Sequence, residues 1–247
     1  ELVIRREASV LDGRFGNNPW LHEMPHPVTK ISWDMVAMMS EATADELGAD
    51  NGDLINISVN NRTMQAPVWK THGHADNSIS VALGYGQGIG GDVEAEKDFN
   101  AYPMITATSG RILTGISVSN TNESYPIALT QKEFDDRGTE PVKETTLAGF
   151  LADPNYAIED KYDGSFLEDV TWETVQEYDF GGYQWGMTID LNACIGCNAC
   201  MIGCQSENNI PTVGKKEVLQ ERDMHWIRVD RYYDDETGKS VFQPVTC

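Results

Sequence analysis

The stretch Cys194-Ile195-Gly196-Cys197-Asn198-Ala199-Cys200-Met201-Ile202-Gly203-Cys204 holds four of the five cysteines of the chain. Its spacing, C-x2-C-x2-C-x3-C, is typical of ferredoxin-type loops, in which three closely spaced cysteines serve one iron–sulfur cluster and the fourth serves another. Zinc sites use separated pairs of cysteine or histidine, and disulfide frameworks spread their cysteines along a chain. The motif therefore predicts Cys194, Cys197, Cys200 and Cys204 as iron–sulfur ligands.

Two strand candidates flank this motif and indicate a ferredoxin-like module. Trp185–Asp190 runs into the cysteines, and Trp226–Tyr232 alternates apolar and polar residues further on. A short helix after Cys200 is expected to end before Pro211. The small residues inside the motif would let backbone N–H groups approach cluster sulfur atoms, which raises a cluster's potential. Gln205 stands where the simplest two-cluster ferredoxins have proline, and this favours a larger respiratory electron-transfer subunit.

The chain has 247 residues, with 18 Lys+Arg against 39 Asp+Glu and a formal net charge of −21. So much negative charge argues against binding to nucleic acid or to anionic lipid headgroups. No stretch approaches the roughly 20 apolar residues that span a bilayer. The sequence begins at Glu1 and stops at Cys247, so we expect an internal segment of a longer polypeptide. Cys247 is then predicted to be a further metal ligand that opens the next cysteine motif.

The N-terminal third is predicted to be compact and β-rich. Ser40 suits the N-cap of a helix over residues 41–47, with Gly48 just past its end. A hairpin follows, with two alternating strands joined at Asn60-Asn61. The glycine-rich stretch 84–91 indicates a packing turn, because it lacks the lysine and the strand–loop–helix context of a phosphate loop.

Composition divides the chain into three predicted domains. Residues 1–120 form a β-rich domain, residues 121–182 an acidic connecting segment packed on neighbours, and residues 183–247 the first part of a ferredoxin-type domain. Between Gln131 and Phe180 there are 14 acids and four bases, with few apolar pairs at helical spacing. The overall fold class is mainly β with α+β.

Several residues leave more than one interpretation open. His72 and His74 are either ligands, or contacts to a pterin, or part of a solvated turn. His225-Trp226 either lies near a cluster or packs a strand. Met35, Met38 and Met39 are expected to fill the core.

Two parts of the sequence resemble known families. Residues 185–247, including Met224–Tyr233 and Pro244–Cys247, resemble the four-cluster iron–sulfur subunits of the molybdopterin oxidoreductase superfamily. Residues 28–86, in particular Ala44–Asp53 and Ala66–Thr71, resemble the dinucleotide-binding domain of molybdopterin-bearing subunits, which is a double-psi β-barrel. Both in this order, together with Asp76–Gly86, resemble the fused iron–sulfur subunit of bacterial alternative complex III.

This resemblance implies three 4Fe-4S clusters and one 3Fe-4S cluster in the full-length subunit, with no molybdopterin. It also implies a hetero-oligomer with quinol-binding membrane subunits and haem c subunits, on the periplasmic face of the inner membrane. Electrons would pass from quinol toward cytochrome c or a terminal oxidase, and no residue here is predicted as a catalytic acid or base. The alternatives are part of a catalytic molybdopterin oxidoreductase, of polysulfide reductase or formate dehydrogenase type, and a structural protein whose clusters only support folding.

Overall fold

The structure is a computed structural model that describes residues 1–86, 99–135, 137, 141–157, 183, 186–233 and 238–246. Contacts divide the chain into two compact units. Unit 1 comprises residues 1–135 and 195–247, and unit 2 comprises residues 136–194. Within unit 1 we call residues 1–135 the sheet region and residues 195–246 the cysteine segment. The domain boundaries at residues 120 and 182 stay a prediction.

The described residues are rich in strands and contain short helices. The strands are β1 (Leu2–Arg6), β2 (Ile31–Ser32), β3 (Ala37–Met39), β4 (Asp53–Val59), β5 (Arg62–Lys70), β6 (Ile79–Leu83), β7 (Ile112–Leu113), β8 (Ser117–Ser124), β9 (Ala128–Leu129), β10 (Ile227–Tyr233) and β11 (Ser240–Thr246). The helices are α1 (Pro19–Glu23), α2 (Glu41–Glu46), α3 (Leu147–Ala152), α4 (Ala199–Glu207) and α5 (Lys215–Val218), with a 3-10 turn at Tyr102–Met104. None of these helices is long and apolar enough to cross a membrane.

A seven-stranded mixed sheet forms the body of the sheet region. Its strand order is β7-β1-β6-β3-β5-β4-β8, with parallel pairs β1–β6 and β3–β5. Two smaller sheets pair β2 with β9 and β10 with β11. The prediction of a mainly β fold is confirmed, whereas the double-psi β-barrel stays a prediction.

Local sequence signals explain the hairpin and the capped helix. β4 and β5 pair in antiparallel register, and Asn60 and Asn61 join them with φ angles of 49° and 62°. Asparagine tolerates this left-handed region, which a two-residue hairpin turn requires. At α2 the Ser40 hydroxyl accepts the Thr43 N–H at 3.2 Å, and Gly48 follows with a φ of 59°. Both predictions are confirmed.

The core of the sheet region is apolar and continuous. Leu2, Ile55 and Val68 are fully buried, in a cluster that runs from β1 to β7. Met35 and Met39 belong to this cluster, as predicted. Met38 is only half-buried and faces a cavity instead.

Unit 2 contains α3 and the residues before the cysteine motif. The Thr146 hydroxyl accepts the Gly149 N–H at 3.1 Å and caps α3. The predicted strand over 185–190 is wrong for residues 186–190, which are irregular and exposed. A strand needs a neighbour to pair with, and no described residue of unit 2 supplies a ladder there. The second predicted strand is confirmed as β10, which pairs with β11.

Candidate metal centre

The cysteine motif lies on a loop and on the first two turns of α4. Cys197 is in the loop, whereas Cys200 and Cys204 stand one helical turn apart on α4. Side chains four residues apart share a helix face. Met201 and Gln205 form the neighbouring face and are each 1% exposed. The helix is thus anchored through one face while its two cysteines lie outside that buried face.

All four described thiols are free of disulfides. Cys197 and Cys200 are exposed, and Cys194 and Cys204 are half-buried. Cys194 is the last residue of unit 2, where its N–H donates to the Asp190 carbonyl at 3.1 Å. Cys247 lies outside the described residues.

The donor set fits an iron–sulfur cluster by its chemistry. It consists of thiols alone, and soft thiolate ligands suit iron–sulfur clusters or zinc rather than magnesium or calcium. In the described ranges, however, no three His, Cys, Asp or Glu side chains meet in a group that could hold a metal ion. Within unit 1 the structure places Cys197 in a loop and Cys200 and Cys204 on α4 without gathering them as a ligand set. The role of all four cysteines as ligands stays a prediction.

One amide contacts a motif sulfur directly. The Asn208 side-chain amide lies 3.6 Å from Cys204 Sγ and also donates to the Cys204 carbonyl at 3.0 Å. An N–H donor stabilises negative charge on a sulfur atom that ligates a metal. The sequence carried a weak signal for it, since Asn208 stands four residues after Cys204, at the end of the same helix.

The two glycines of the motif have different surroundings. Gly196 has a φ of 67°, and a Cβ there would lie 2.3 Å from the ring of Phe242 on β11. Gly203 has nothing within 4 Å of the equivalent position. Gly196 is therefore required by its backbone conformation and by the Phe242 ring, which sequence spacing did not reveal.

Gln205 takes an unusual place after Cys204. Its side chain is buried, and neither its amide nitrogen nor its amide oxygen has a hydrogen-bond partner among the described residues. Buried amides are normally paired, and a bound water is the usual remedy.

Two residues of α1 and Pro25, which follows that helix, contact the cysteine segment before and after α4. The Trp20 indole donates to the Ile210 carbonyl at 2.8 Å, and the Asn198 amide donates to the Pro25 carbonyl at 2.7 Å. Glu23 accepts from the backbone N–H of Val213 and Gly214 at 3.0 and 2.8 Å. Burial raises the pKa of Glu23, against these hydrogen bonds that lower it. Sequence reasoning missed all three contacts.

A buried ion pair holds Lys215, the residue that follows Gly214. Lys215 Nζ lies 2.6 Å from Asp34 and 3.6 Å from the centre of the Tyr125 ring. The Tyr125 hydroxyl donates to Asp34 at 2.8 Å. Burial raises the pKa of Asp34, and the Lys215 charge opposes this rise.

His225 and Trp226 separate in the structure. The His225 ring is buried, with Nδ1 at 3.4 Å from Asp223, and it lowers the pKa of that carboxyl group. Trp226 is 49% exposed. Trp226 is therefore not a core residue, and both interpretations, packing on a strand and proximity to a cluster, stay predictions.

A cavity of about 460 Å³ lies beside the sheet, remote in sequence from the cysteines. Basic, hydroxyl and apolar side chains line it together with one carboxyl group, that of Glu7. The basic residues are Arg5, Arg6, His26, His72 and His74. His26 Nδ1 accepts two backbone N–H groups, and burial lowers the pKa of His26 to about 4, so its proton sits on Nε2.

The two histidines of the 71–75 loop are both engaged. His74 Nε2 lies 3.0 Å from the Ser80 hydroxyl, and the His72 ring stacks on Tyr233 at 4.4 Å. The interpretation of this loop as a solvated turn is incomplete, because residues 71–75 also form part of the cavity wall.

The chain matches no protein-family model. It is 67% identical over 57 residues to the menaquinone reductase, iron–sulfur cluster-binding subunit of Nitratidesulfovibrio vulgaris, a match to 23% of this chain and 20% of that protein. It is 46% identical over 39 residues to a selenate reductase subunit from Mesobacillus selenatarsenatis, a match to 15% of this chain and 13% of that protein. The matches thus span a fifth or less of the length of these relatives.

Proposed function

We propose that this chain is part of an iron–sulfur electron-transfer subunit of a multi-subunit oxidoreductase. The observation that carries the proposal is the set of four free thiols at C-x2-C-x2-C-x3-C spacing, of which Cys200 and Cys204 lie on a helix anchored to the sheet region. The name of the 67% identical relative, an iron–sulfur cluster-binding subunit, supports it. The names of both relatives, as subunits of reductases, support a hetero-oligomer.

The chain's own residues would hold and shield the redox centre. A bound iron–sulfur cluster supplies one-electron transfer, and its potential depends on hydrogen bonds to sulfur and on exposure to solvent. Cys194, Cys197 and Cys200 would ligate one cluster, Cys204 and Cys247 would serve others, and the Asn208 amide would stabilise charge on Cys204. The buried face of α4 holds the helix that carries Cys200 and Cys204.

The finer proposal is the iron–sulfur subunit of alternative complex III. It would carry three 4Fe-4S clusters and one 3Fe-4S cluster at the periplasmic face of the membrane, next to quinol-binding and haem c subunits. Electrons would flow from quinol toward cytochrome c or an oxidase. The support is the sequence resemblance of residues 28–86 and 185–247.

The test is metal analysis with low-temperature EPR on the full-length protein in its detergent-purified native complex. We expect abundant iron, signals from cubane and three-iron clusters, and cluster reduction on addition of menaquinol. A complex without iron would overturn the electron-transfer proposal. Clusters that accept electrons only from another donor and pass them to menaquinone would retain it but reverse the direction.

The cavity favours one second candidate, the relay-bearing part of a catalytic molybdopterin oxidoreductase. Arg5 and Arg6 line the cavity and make no ion pair with any other described residue. Unpaired guanidinium groups in a chain this acidic suit a bound anion, such as a phosphorylated cofactor. Molybdenum at about one atom per chain in the same analysis would establish this candidate, and its absence would exclude it.

A further inference from the structure

Three groups of the sheet region contact the cysteine segment before and after α4, and we call these three groups the α1 clamp. The clamp consists of the Trp20 indole, the Glu23 carboxylate and the Pro25 carbonyl. Its partners are Asn198 at the N-terminal end of α4, Ile210 three residues after the last residue of α4, and Val213 and Gly214 directly before α5. These contacts join residues 173 to 191 positions apart in the sequence.

Asn198 is the clamp contact inside the cysteine motif. It occupies the N-cap position of α4 with φ 60° and ψ 13°, and its side chain makes no capping hydrogen bond. A capping asparagine normally has extended backbone and accepts an N–H of the first turn. Here the side chain is 1% exposed and its amide nitrogen donates to the Pro25 carbonyl instead. The Asn198 side chain therefore binds Pro25 in place of capping α4, and we call this hydrogen bond the tether.

The orientation of this amide is fixed by chemistry. A carbonyl oxygen only accepts hydrogen bonds, so the NH₂ group of Asn198 must face Pro25. The side-chain oxygen of Asn198, Oδ1, is then buried with no partner among the described residues. An unpaired buried acceptor is destabilising. The loop thus keeps two unfavourable features, an unpaired buried oxygen and a left-handed backbone at Asn198. We take this as an indication that the hydrogen bond to Pro25 serves to hold the loop in place.

We propose that Asn198 is a positioning residue for the iron–sulfur centre, through which the α1 clamp sets where the cysteine loop holds Cys197 and Cys200. This inference rests on the proposed function. Asn198 directly follows Cys197 and lies two residues before Cys200, so movement at Asn198 displaces both sulfur atoms. The sheet region thereby acts on the redox centre although it contributes none of the predicted ligands.

The chain offers a matched pair of variants. Asn198→Gly removes the tether but keeps a residue that readily adopts a φ near 60°. Asn122→Gly makes the same substitution at an exposed asparagine of β8 that also has a φ of 60°. Both variants are made in the full-length protein within its native complex. Iron content, EPR line shape, midpoint potential and hydrogen exchange of the α4 amides are measured.

We expect Asn198→Gly to shift the midpoint potential and broaden the EPR signal of the cluster. We also expect hydrogen exchange of the Ile202 amide, which donates to the Asn198 backbone carbonyl, to rise by about tenfold or more. Asn122→Gly should match the wild type in every readout. An Asn198→Gly protein with wild-type potential, line shape and exchange overturns the positioning role. A wild-type complex without iron overturns the proposed function instead, and the exchange measurement still tests the tether.

Trp20→Phe keeps the test decisive if Asn198→Gly fails to assemble. It removes the indole donor to the Ile210 carbonyl, keeps an aromatic ring and leaves the motif sequence unchanged. We expect faster hydrogen exchange of the amides near Ile210. We also expect the EPR signal to broaden, but less than in Asn198→Gly. Wild-type spectra and exchange in this variant would show that the clamp does not control the cysteine loop.

Discussion

The sheet region and the cysteine segment belong to one unit but are held together in different ways. The sheet region buries a continuous apolar cluster whose members include Leu54 and Ile57. Among the described residues the cysteine segment buries four apolar side chains: Met201, Ile210, Val218 and Val229. Its attachment relies on buried polar groups, such as Lys30, which is 1% exposed and donates to the Val229 carbonyl at 2.6 Å.

This difference separates stability from geometry. Apolar packing is non-directional, and cores tolerate repacking if their volume is kept. Hydrogen bonds and ion pairs act only over short distances and at defined angles, and breaking one partner leaves a costly buried group. The sheet region therefore supplies most of the stabilising burial, and the polar contacts specify where the cysteines lie.

The largest effect is expected from Lys215→Ala. This change leaves Asp34, whose side chain is fully buried, without its cation. Breaking one side of a buried pair costs about 3–5 kcal/mol. Denaturant unfolding of the full-length protein measures the loss in free energy of unfolding.

Arg14→Ala is the control for this prediction. The Arg14–Asp12 pair has the same type of contact, but the Arg14 side chain is 57% exposed. Surface pairs contribute about 0–1 kcal/mol. If both variants lose equally little stability, polar contacts do not hold the cysteine segment and the comparison fails.

The second-largest effect concerns Glu7, a buried carboxyl group within the sheet region. Burial raises the pKa of Glu7 from 4.5 to about 7. As pH rises through this window, the unfolded state loses the Glu7 proton first, so Glu7 lowers the free energy of unfolding by about 3 kcal/mol in total. Glu7→Gln should remove this decline, and its stability relative to wild type should increase from pH 4.5 to 7.

His26 acts in the opposite direction over nearly the same window. Burial lowers the pKa of His26 from 6.5 to about 4, so its contribution is complete above pH 6.5 and is lost as pH falls toward 4. The wild-type profile should therefore be flatter than either contribution. A difference between Glu7→Gln and wild type that does not change with pH would mean that Glu7 is not buried as the structure places it.

A smaller loss, of about 2 kcal/mol, is expected for Gly196→Ala. The new Cβ would meet the Phe242 ring at 2.3 Å and would occupy a left-handed backbone position. Gly203→Ala is the matched control, because its Cβ meets open space on α4 and should stabilise the helix by up to about 1 kcal/mol. Thermal unfolding compares the two, and equal effects would refute the packing of Phe242 against the loop.

The sequence predicted those parts of the fold that depend on neighbouring residues. The Ser40 cap, the Asn60-Asn61 turn and the alternation of β4 all act within a few residues, and each is confirmed. A short helix after Cys200 was also expected, and it begins slightly earlier, at Ala199. Ligand spacing is likewise local, so the motif itself was visible.

Contacts between distant residues left little trace in the sequence. Nothing in Trp20-Leu21-His22-Glu23 indicates that two of its side chains bind the backbone near Ile210 and Gly214. A backbone acceptor such as the Pro25 carbonyl has no residue preference at all. The predicted strand before the motif failed for a related reason, since alternation indicates a strand but does not supply its partner.

The long reach of the α1 clamp has a consequence for how the protein is made. Glu23 and Gly214 are 191 residues apart, so at about 5–20 residues per second the ribosome needs roughly 10–40 s to synthesise the chain between them. The sheet region is complete at residue 135, and 60 residues (195 − 135) separate it from the start of the cysteine segment, so it has roughly 3–12 s to fold before that segment is synthesised. Asn198, Ile210 and Gly214 then meet the groups of the α1 clamp on a surface that is already formed.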